Sequence, residues 1–311
     1  MGVKFMIRNI RSLATCLCLA AFVTSSAVAN KQPRLASEAA IDAAEHAPLN
    51  PFAEAGRWNT PYAPFKVIGN IYYVGTAGVS AYLITSPKGH ILIDGILPQS
   101  VPLIIANMKA LGFDIRDVKY LLNSHAHIDH AGGLAGLARA SGATMIASAA
   151  DRPFLEAGDI GHGPSGGMKF PSIHVDRVIS DGETVKTGDI TLTAHLTPGH
   201  SPGCTSWSMA ASGADGVRRQ IFFHCSATVA GQSLMPEAYH GIVKNFRATF
   251  AKVRSFKADV FLANHDNFFD LAEKRARQIA GDANAFADPG ELQRFNTLME
   301  QRFETELAQK R

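Results

Sequence analysis

The sequence Ser124-His125-Ala126-His127-Ile128-Asp129-His130 places four potential metal ligands within six residues. It follows a short apolar run that predicts a buried strand, so the motif lies at a strand-to-helix turn. Alternation along an extended segment puts His125 and His127 on one side, and the turn that follows lets Asp129 and His130 face the same space. Imidazole nitrogen suits zinc, and carboxylate oxygen adds a harder ligand. A histidine-rich surface turn is the alternative, but this spacing is far more specific than isolated histidines.

Two further histidines follow short apolar runs in the same way. His200 lies in the loop Thr197-Pro198-Gly199-His200-Ser201-Pro202-Gly203, and His265 comes one residue after the apolar run 260–263. Histidines at the ends of strands can converge at one edge of a sheet sandwich. Six ligands divide into two groups of three, which leaves each zinc ion open positions for water and substrate. Open coordination is typical of catalytic rather than structural zinc.

The apolar pattern around these motifs predicts an α/β fold. Strands are predicted at 70–74, 80–85, 90–94, 120–123, 144–148, 189–196, 204–210, 219–225 and 260–263, and helices at 98–111, 131–140, 242–257 and in two segments after 265. Two successive halves, each strand-rich and then helical, predict two mixed β-sheets packed face to face with helices on the outer faces, an αββα sandwich. The glycine- and proline-rich residues 156–171 predict a mobile loop.

The N-terminus has the pattern of a secretory signal peptide over residues 1–29. Lys4, Arg8 and Arg11 precede an apolar run at 13–23, and Ala27-Val28-Ala29 is a small-residue cleavage pattern. The run is shorter than the roughly 20 residues that span a bilayer, which disfavours a membrane anchor. We therefore expect a secreted protein, periplasmic if the source is Gram-negative. Residues 30–311 are predicted to form a single domain with an extended N-terminal arm at about 30–60.

Composition excludes several classes of protein. The chain has 311 residues, of which 46% are hydrophobic and 18% charged, enough for a large core and unlike a disordered or collagen-like chain. Without residues 1–29 it has 27 basic and 27 acidic residues. A neutral chain with no basic cluster lacks the electrostatic footprint expected for binding nucleic acid or anionic membranes.

These motifs together resemble the metallo-β-lactamase superfamily, and more narrowly its subclass B3. The resemblance spans roughly residues 58–274 and includes the ligand motif 125–130, the following Gly132-Gly133, the Thr-Pro-Gly-His loop at 197–200, and His265. It implies two zinc ions per chain. The implied ligands of one zinc are His125, His127 and His200, and those of the other are Asp129, His130 and His265. Asp94 matches an acid that supports the metal loop, although a strand-end turn residue is the alternative interpretation.

The residues after the predicted strand 220–223 separate subgroups of the family. Glyoxalase-II-like thioesterases and many phosphodiesterases of this fold resemble each other in carrying a metal-bridging aspartate there, whereas this chain has His224-Cys225-Ser226-Ala227-Thr228 without a carboxylate. Subclass B1 enzymes carry arginine at the position of His130 and use a cysteine ligand near this strand end. Subclass B3 enzymes carry a serine there, which Ser226 matches.

The resemblance implies a dizinc β-lactamase that hydrolyses penicillins, cephalosporins and carbapenems by attack of zinc-bound hydroxide, and so confers antibiotic resistance. Asp129 would orient the nucleophile as well as bind zinc, and the hydroxyls of Ser226 and Thr228 would bind the substrate carboxylate. The implied partner is a small-molecule β-lactam, with no nucleic acid, no membrane after signal cleavage, and a monomeric chain. The alternatives are another zinc hydrolase of this fold, such as a lactonase or a glyoxalase-II-like thioesterase, and a non-enzymatic zinc-binding module.

Cys204 and Cys225 remain after residues 1–29 are removed, in an oxidising compartment. A zinc ligand at Cys225, two buried thiols and a disulfide are the three alternatives. If 204–210 and 219–225 form a hairpin that pairs Ala210 with Arg219, the cysteines lie directly opposite, with Cα atoms about 4.5 Å apart and within disulfide reach. The bridge would contribute roughly 3 kcal/mol. A register slip of one residue would put the sulfurs on opposite faces.

Overall fold

The computed structural model describes residues 1–3, 35–49 and 55–309. The chain divides into two units, Met1–Gln32 and Pro33–Arg311, and residues 35–309 belong to the second. The signal peptide predicted for 1–29 lies outside the described residues, apart from the first three. Within the described part of the chain, no helix combines the length and apolar character needed to cross a membrane.

The described residues form fourteen strands and nine α-helices. The strands are β1 Thr60–Pro61, β2 Phe65–Ile68, β3 Ile71–Tyr73, β4 Thr76–Ala77, β5 Tyr82–Ile84, β6 His90–Ile93, β7 Val118–Leu122, β8 Thr144–Ser148, β9 Arg177–Ile179, β10 Thr184–Thr187, β11 Ile190–Leu196, β12 Thr205–Ser212, β13 Arg218–His224 and β14 Val260–Ala263. The helices are α1 Glu38–Glu45, α2 Ala55–Trp58, α3 Val101–Ala110, α4 Ile128–Ala131, α5 Leu134–Ser141, α6 Arg152–Ala157, α7 Ile242–Val253, α8 Leu271–Ile279 and α9 Glu291–Gln309.

Two large mixed sheets carry the fold, as predicted. One sheet has seven strands in the order β2-β3-β5-β6-β7-β8-β9, parallel from β6 to β9 and antiparallel elsewhere. The other has five strands in the order β10-β11-β12-β13-β14, of which only β13 and β14 are parallel. A small pair, β1 with β4, adds a third sheet that was not predicted.

Alternation along the central strands builds two cores. On β6, Ile91 and Ile93 belong to a core shared with Trp207 of the second sheet, with α7 and with α9. Leu92 points the opposite way and packs with Ile104 of α3 and with α5 in a second core. Helices therefore cover the outer faces of two sheets packed together, which confirms the predicted αββα sandwich.

The N-terminal arm is not extended throughout. Helix α1 occupies Glu38–Glu45, and the hydroxyl of Ser37 caps it by accepting a hydrogen bond from the Ala40 backbone N–H at 3.2 Å. Ile41 buries its side chain in the second core. The prediction of an extended conformation is wrong for these residues, because the serine cap and one buried side chain stabilise a helix.

The hairpin of β12 and β13 has a different register from the predicted one. Ala210 pairs with Gln220 instead of Arg219, a shift of one residue. Strand β12 begins at Thr205 and β13 ends at His224. Cys204 therefore lies just before the first strand, and Cys225 just after the second. Their Cα atoms are 5.8 Å apart and the side chains form a disulfide. The bridge is therefore present although the predicted register was wrong, since the strict alternation of the strands no longer applies past their ends.

Candidate metal centre

The six predicted ligands meet at one edge of the two packed sheets. His125 and His127 follow β7, and the short helix α4 carries Asp129 and His130. The second sheet supplies the remaining two ligands, because His200 follows β11 and His265 follows β14. The ligand atoms cluster as two sets, called here the first site (His125, His127 and His200) and the second site (Asp129, His130 and His265).

The first site is a buried group of three imidazoles. Nδ1 of His127 lies 3.0 Å from Nε2 of His200, and the three ligand atoms lie within 4.8 Å of one another. Nε2 of His125 is buried and has no hydrogen-bond partner. Nδ1 of His200 donates to the carbonyl oxygen of Thr228 at 2.8 Å, which leaves the lone pair of Nε2 free for a metal. Three convergent nitrogens, one of them otherwise unsatisfied, fit a metal ion.

The second site is a nearly regular triangle of ligand atoms. Oδ2 of Asp129 lies 3.2 Å from Nε2 of His130 and 3.4 Å from Nε2 of His265, and the two nitrogens are 3.2 Å apart. Tetrahedral ligands bound to zinc at 2.0–2.1 Å are about 3.3 Å from one another. Nδ1 of His265 donates to the carbonyl oxygen of Gly78 at 3.1 Å, which directs Nε2 toward the triangle. The spacing fits zinc.

The two sites differ in their proton affinity. Burial lowers the pKa of every histidine of the first site, that of His200 to about 4. Burial also opposes the charge on His130, but the neighbouring carboxylates of Asp129 and Asp94 outweigh it and raise the pKa of His130 to about 9. The first site therefore presents neutral imidazoles at pH 7, whereas the second must lose a proton before it binds a metal.

Asp94 lies against the metal loop, where the sequence predicted a supporting acid. Its Oδ1 accepts from the backbone N–H of Ser124 at 2.7 Å, and its Oδ2 is 3.5 Å from Nδ1 of His130. The backbone of Asp94 is left-handed, with φ 64°, a conformation that non-glycine residues rarely adopt. This turn aims the carboxylate back at the loop that carries the ligands.

The disulfide packs beside the first site without ligating it. Sγ of Cys225 lies 3.6 Å from Nδ1 of His125, which is not the nitrogen left without a partner, Nε2. Both sulfurs are committed to the bridge with Cys204. The alternatives of a zinc ligand at Cys225 and of two free thiols are therefore wrong in this structure.

Comparison with known proteins agrees with this geometry. Residues 74–213 match the sequence model of the metallo-beta-lactamase superfamily. BJP-1, a subclass B3 metallo-beta-lactamase of Bradyrhizobium japonicum, is 42% identical, with 83% of this chain and 98% of that chain covered and a TM-score of 0.79. Native FEZ-1 metallo-beta-lactamase from Legionella gormanii is 36% identical, with 81% and 98% covered and a TM-score of 0.77. This chain belongs to the metallo-β-lactamase superfamily, subclass B3.

Curated lactonases of the superfamily match a smaller part of the chain. The N-acyl homoserine lactonase AttM of Azorhizobium caulinodans is 31% identical over 159 residues, which cover 42% of this chain and 58% of the lactonase. The AttM lactonase of Agrobacterium fabrum matches at 31% over the same shares of both chains. This chain thus spans little more than half the length of these curated relatives.

Both sites open onto a cavity of about 420 Å³. Four of the candidate ligands line this cavity, and its walls come from the N-terminal segment, the glycine-rich loop and the segments after β13 and β14. The wall residues include Arg57, Trp58, Pro164, Met168, Thr228, Gln232 and Phe268. Residues 158–176 contain no helix or strand, in agreement with the predicted loop, and contribute part of this wall.

The two hydroxyls predicted to bind substrate have different positions. Thr228 lines the cavity above the two metal sites. Ser226 is 2% exposed and does not reach the cavity; its hydroxyl lies 3.3 Å from that of Thr228. Only Thr228 is therefore placed for direct contact with a ligand. Ser226 contacts Thr228 from the side facing away from the cavity.

Asp151 was not singled out from the sequence, although it lies next to the first site. Burial raises its pKa to about 6, despite three hydrogen bonds that act in the opposite direction. Strands β6, β7 and β8 are parallel, and Asp94, His125 and Asp151 each follow the carboxyl end of one of them. An acidic residue shortly after a strand that neighbours the metal loop is the signal that could have found it.

Proposed function

We propose that this chain is an exported dizinc β-lactamase that hydrolyses the amide bond of penicillins, cephalosporins and carbapenems. The observation that carries the proposal is the extent of the likeness to BJP-1, at 42% identity over 98% of that chain. The stretch matched in this chain is long enough to include the ligand sets and the cavity walls together. The proposal includes two zinc ions, bound by the first and second sites, and a small-molecule substrate in the cavity above them.

These residues would hold zinc, which when bound would make a water acidic enough to act as a nucleophile near neutral pH and would polarise the carbonyl of the substrate. The residues of the chain hold and orient the reactants. Burial opposes ionisation of Asp129, but His130 and His265 outweigh it and lower the pKa of that carboxyl well below its usual range. Asp129 is therefore an anion at neutral pH, and the carboxylate oxygen not used as a ligand can accept a hydrogen bond from the attacking water.

Thr228 provides the contact for the other end of the substrate. Its hydroxyl lies on the cavity wall and can donate to the carboxylate that β-lactam antibiotics carry. The Ser226 hydroxyl, 3.3 Å away, holds the Thr228 side chain in place. The predicted role of Ser226 in substrate binding is therefore proposed to be indirect, through Thr228.

A lactonase is the second candidate, because four of the curated relatives are N-acyl homoserine lactonases. Both reactions open a cyclic carbonyl compound by attack of water, so the same metal centre can serve either. The substrates differ in charge, since a homoserine lactone has no carboxylate for Thr228 to bind. The partial coverage of the lactonases, 58% of their length, makes this the weaker candidate.

The test compares both ring openings in one protein. Purified protein from Asn30 onward, loaded with zinc, is assayed with a carbapenem, a penicillin and an N-acyl homoserine lactone, with and without a chelator. We expect chelator-sensitive hydrolysis of the β-lactams, abolished in His127→Ala and retained in His240→Ala, a fully exposed histidine. Lactone opening without turnover of either β-lactam would replace the proposal by the second candidate.

Export and resistance are tested in cells. Expression of the full chain in a susceptible Gram-negative host should raise the β-lactam concentration that stops growth. The protein recovered from the periplasm should begin at Asn30 by mass spectrometry. An intact N-terminus in the cytoplasm, with no change in susceptibility, would contradict this part of the proposal.

A further inference from the structure

Asp151 is a buried carboxylate that hydrogen-bonds both histidine-bearing loops of the first site. Its Oδ2 accepts from the backbone N–H of Ala126 at 3.0 Å and from the hydroxyl of Ser201 at 3.0 Å. Its Oδ1 accepts from the backbone N–H of Gly203 at 2.8 Å. Ala126 lies between the two histidines that precede α4, and Ser201 directly follows His200. One side chain thus joins the loops that bring the three ligands from different sheets.

Capping of helix α6 does not explain this carboxylate. Asp151 occupies the N-cap position of α6, but its side chain makes no capping hydrogen bond and is 1% exposed. A second link runs beside it, since the Ser148 hydroxyl accepts from the Asp151 backbone N–H at 3.2 Å and donates to the Gly203 carbonyl oxygen at 2.8 Å. A Cβ at Gly203 would lie only 2.6 Å from Cγ of Asp151. The end of β8 and the His200 loop are therefore packed closely around the carboxylate.

Among the residues that the structure describes, no basic side chain offsets the charge of Asp151. Its three hydrogen-bond partners are neutral donors, and between residues 35 and 309, in the part that the structure describes, no lysine or arginine pairs with it. A buried carboxylate is unfavourable unless it is both hydrogen-bonded and offset by positive charge. The ligands of the first site are three neutral imidazoles, so a divalent cation there has no anion among its own protein ligands.

We propose that Asp151 is a positioning residue for the first metal site. It holds the two histidine-bearing loops at the separation that their three nitrogens need, and its charge favours a divalent cation between them. The proposal rests on the proposed function only in taking the first site to bind zinc, and no substrate is involved in it.

The test measures zinc affinity at each site separately. In a His265→Ala protein only the first site is complete, and in a His127→Ala protein only the second. Asp151→Asn is added to each background. The amide side chain keeps the shape of the carboxylate, but its NH₂ group replaces one acceptor oxygen and then faces an N–H or O–H donor of the neighbouring loops. Competition with a chromophoric chelator should show zinc binding to the first site weakened by about 10- to 100-fold. Affinity at the second site should be unchanged.

The matched control is Asp176→Asn. Asp176 accepts from the backbone N–H of Met145 at 2.8 Å, near the opposite end of β8, and should leave both affinities unchanged. Unchanged affinity at the first site, or equal weakening of both sites, would overturn the proposal.

If circular dichroism shows that Asp151→Asn does not fold, the Ser201→Ala variant is measured in its place. This substitution removes one hydrogen-bond donor to Asp151 and keeps the carboxylate. A selective loss of zinc affinity at the first site would then support the proposal, and no loss would overturn it. No substrate is used in these measurements. An absence of β-lactam turnover by the unmodified protein would therefore contradict the proposed function and leave this result standing.

Discussion

Removing the Cys204–Cys225 disulfide should lower the free energy of unfolding by about 3 kcal/mol. The bridge closes a loop with a sequence separation of 21 residues. The chain-entropy relation gives about 11 cal/mol/K for a loop of that length, which corresponds to about 3 kcal/mol at 25 °C. Both cysteines are completely buried, and because alanine has no polar side-chain atom, Cys204→Ala with Cys225→Ala adds no buried polar side-chain group. The loss from the small voids left by the two sulfurs adds to the entropic value.

The measurement is urea unfolding followed by far-ultraviolet circular dichroism. A chelator is present throughout, because zinc bound to the folded state would add its own stabilisation. The midpoint should fall by about 1 M or more, given slopes of roughly 1–3 kcal/mol/M. The unmodified protein in reductant is the control, since it loses the same bridge without any substitution.

Two outcomes would refute this reasoning. A loss below about 1 kcal/mol in both the double variant and the reduced protein would show that loop closure does not determine the stabilisation. Two free thiols in the denatured protein without reductant would show that the bridge is not formed at all.

Three further predictions concern the metal centre. His265→Ala should lose about one equivalent of zinc after dialysis, since His265 is one of only three protein ligands of the second site; two equivalents by elemental analysis would contradict the assignment. Zinc binding at the second site should release about one proton at pH 7 and should become tighter as the pH rises toward 9. The reason is that His130, whose pKa is raised to about 9, must deprotonate before it binds the metal. Calorimetry in buffers of different ionisation enthalpy measures the number of protons released. Thr228→Val should raise KM for a β-lactam about 10-fold with a smaller change in kcat, and Ser226→Ala should raise KM less. An equal fall in kcat and kcat/KM for Thr228→Val would instead show that its hydroxyl stabilises the transition state.

The meeting of the six candidate ligands was predictable because each follows a short apolar strand, whereas their assignment to two particular sets of three came from the family resemblance. The order of strand and ligand along the chain is a local property, and the meeting of strand ends at one edge follows from the packing of the sheets. His265 shows this well, since the apolar residues 260–263 became β14 with the predicted bounds. The sequence around each of the six residues was therefore sufficient to predict that they come together.

Features that depend on distant packing were not predictable in the same way. The contacts of Asp151 require the loop of Gly203, about fifty residues away, to approach within a hydrogen bond. The register of β12 and β13 depends on how far the strands continue into the glycine-containing turn. Here Gly213 donates its backbone N–H to the Val217 carbonyl oxygen at 3.0 Å, which closes a turn shorter than the one expected. Alternation alone does not determine that length.

Each metal site takes two ligands from the first sheet and its loops and one from the second. A bound ion is therefore a cross-link between the two halves of the chain, in addition to their shared apolar core. A chain divided between β9 and β10 would yield two fragments, neither with a complete ligand set among the six residues. Reassembly of such fragments should depend on zinc. A chelator should then dissociate the two polypeptides, whereas in the intact chain it would only remove the metal.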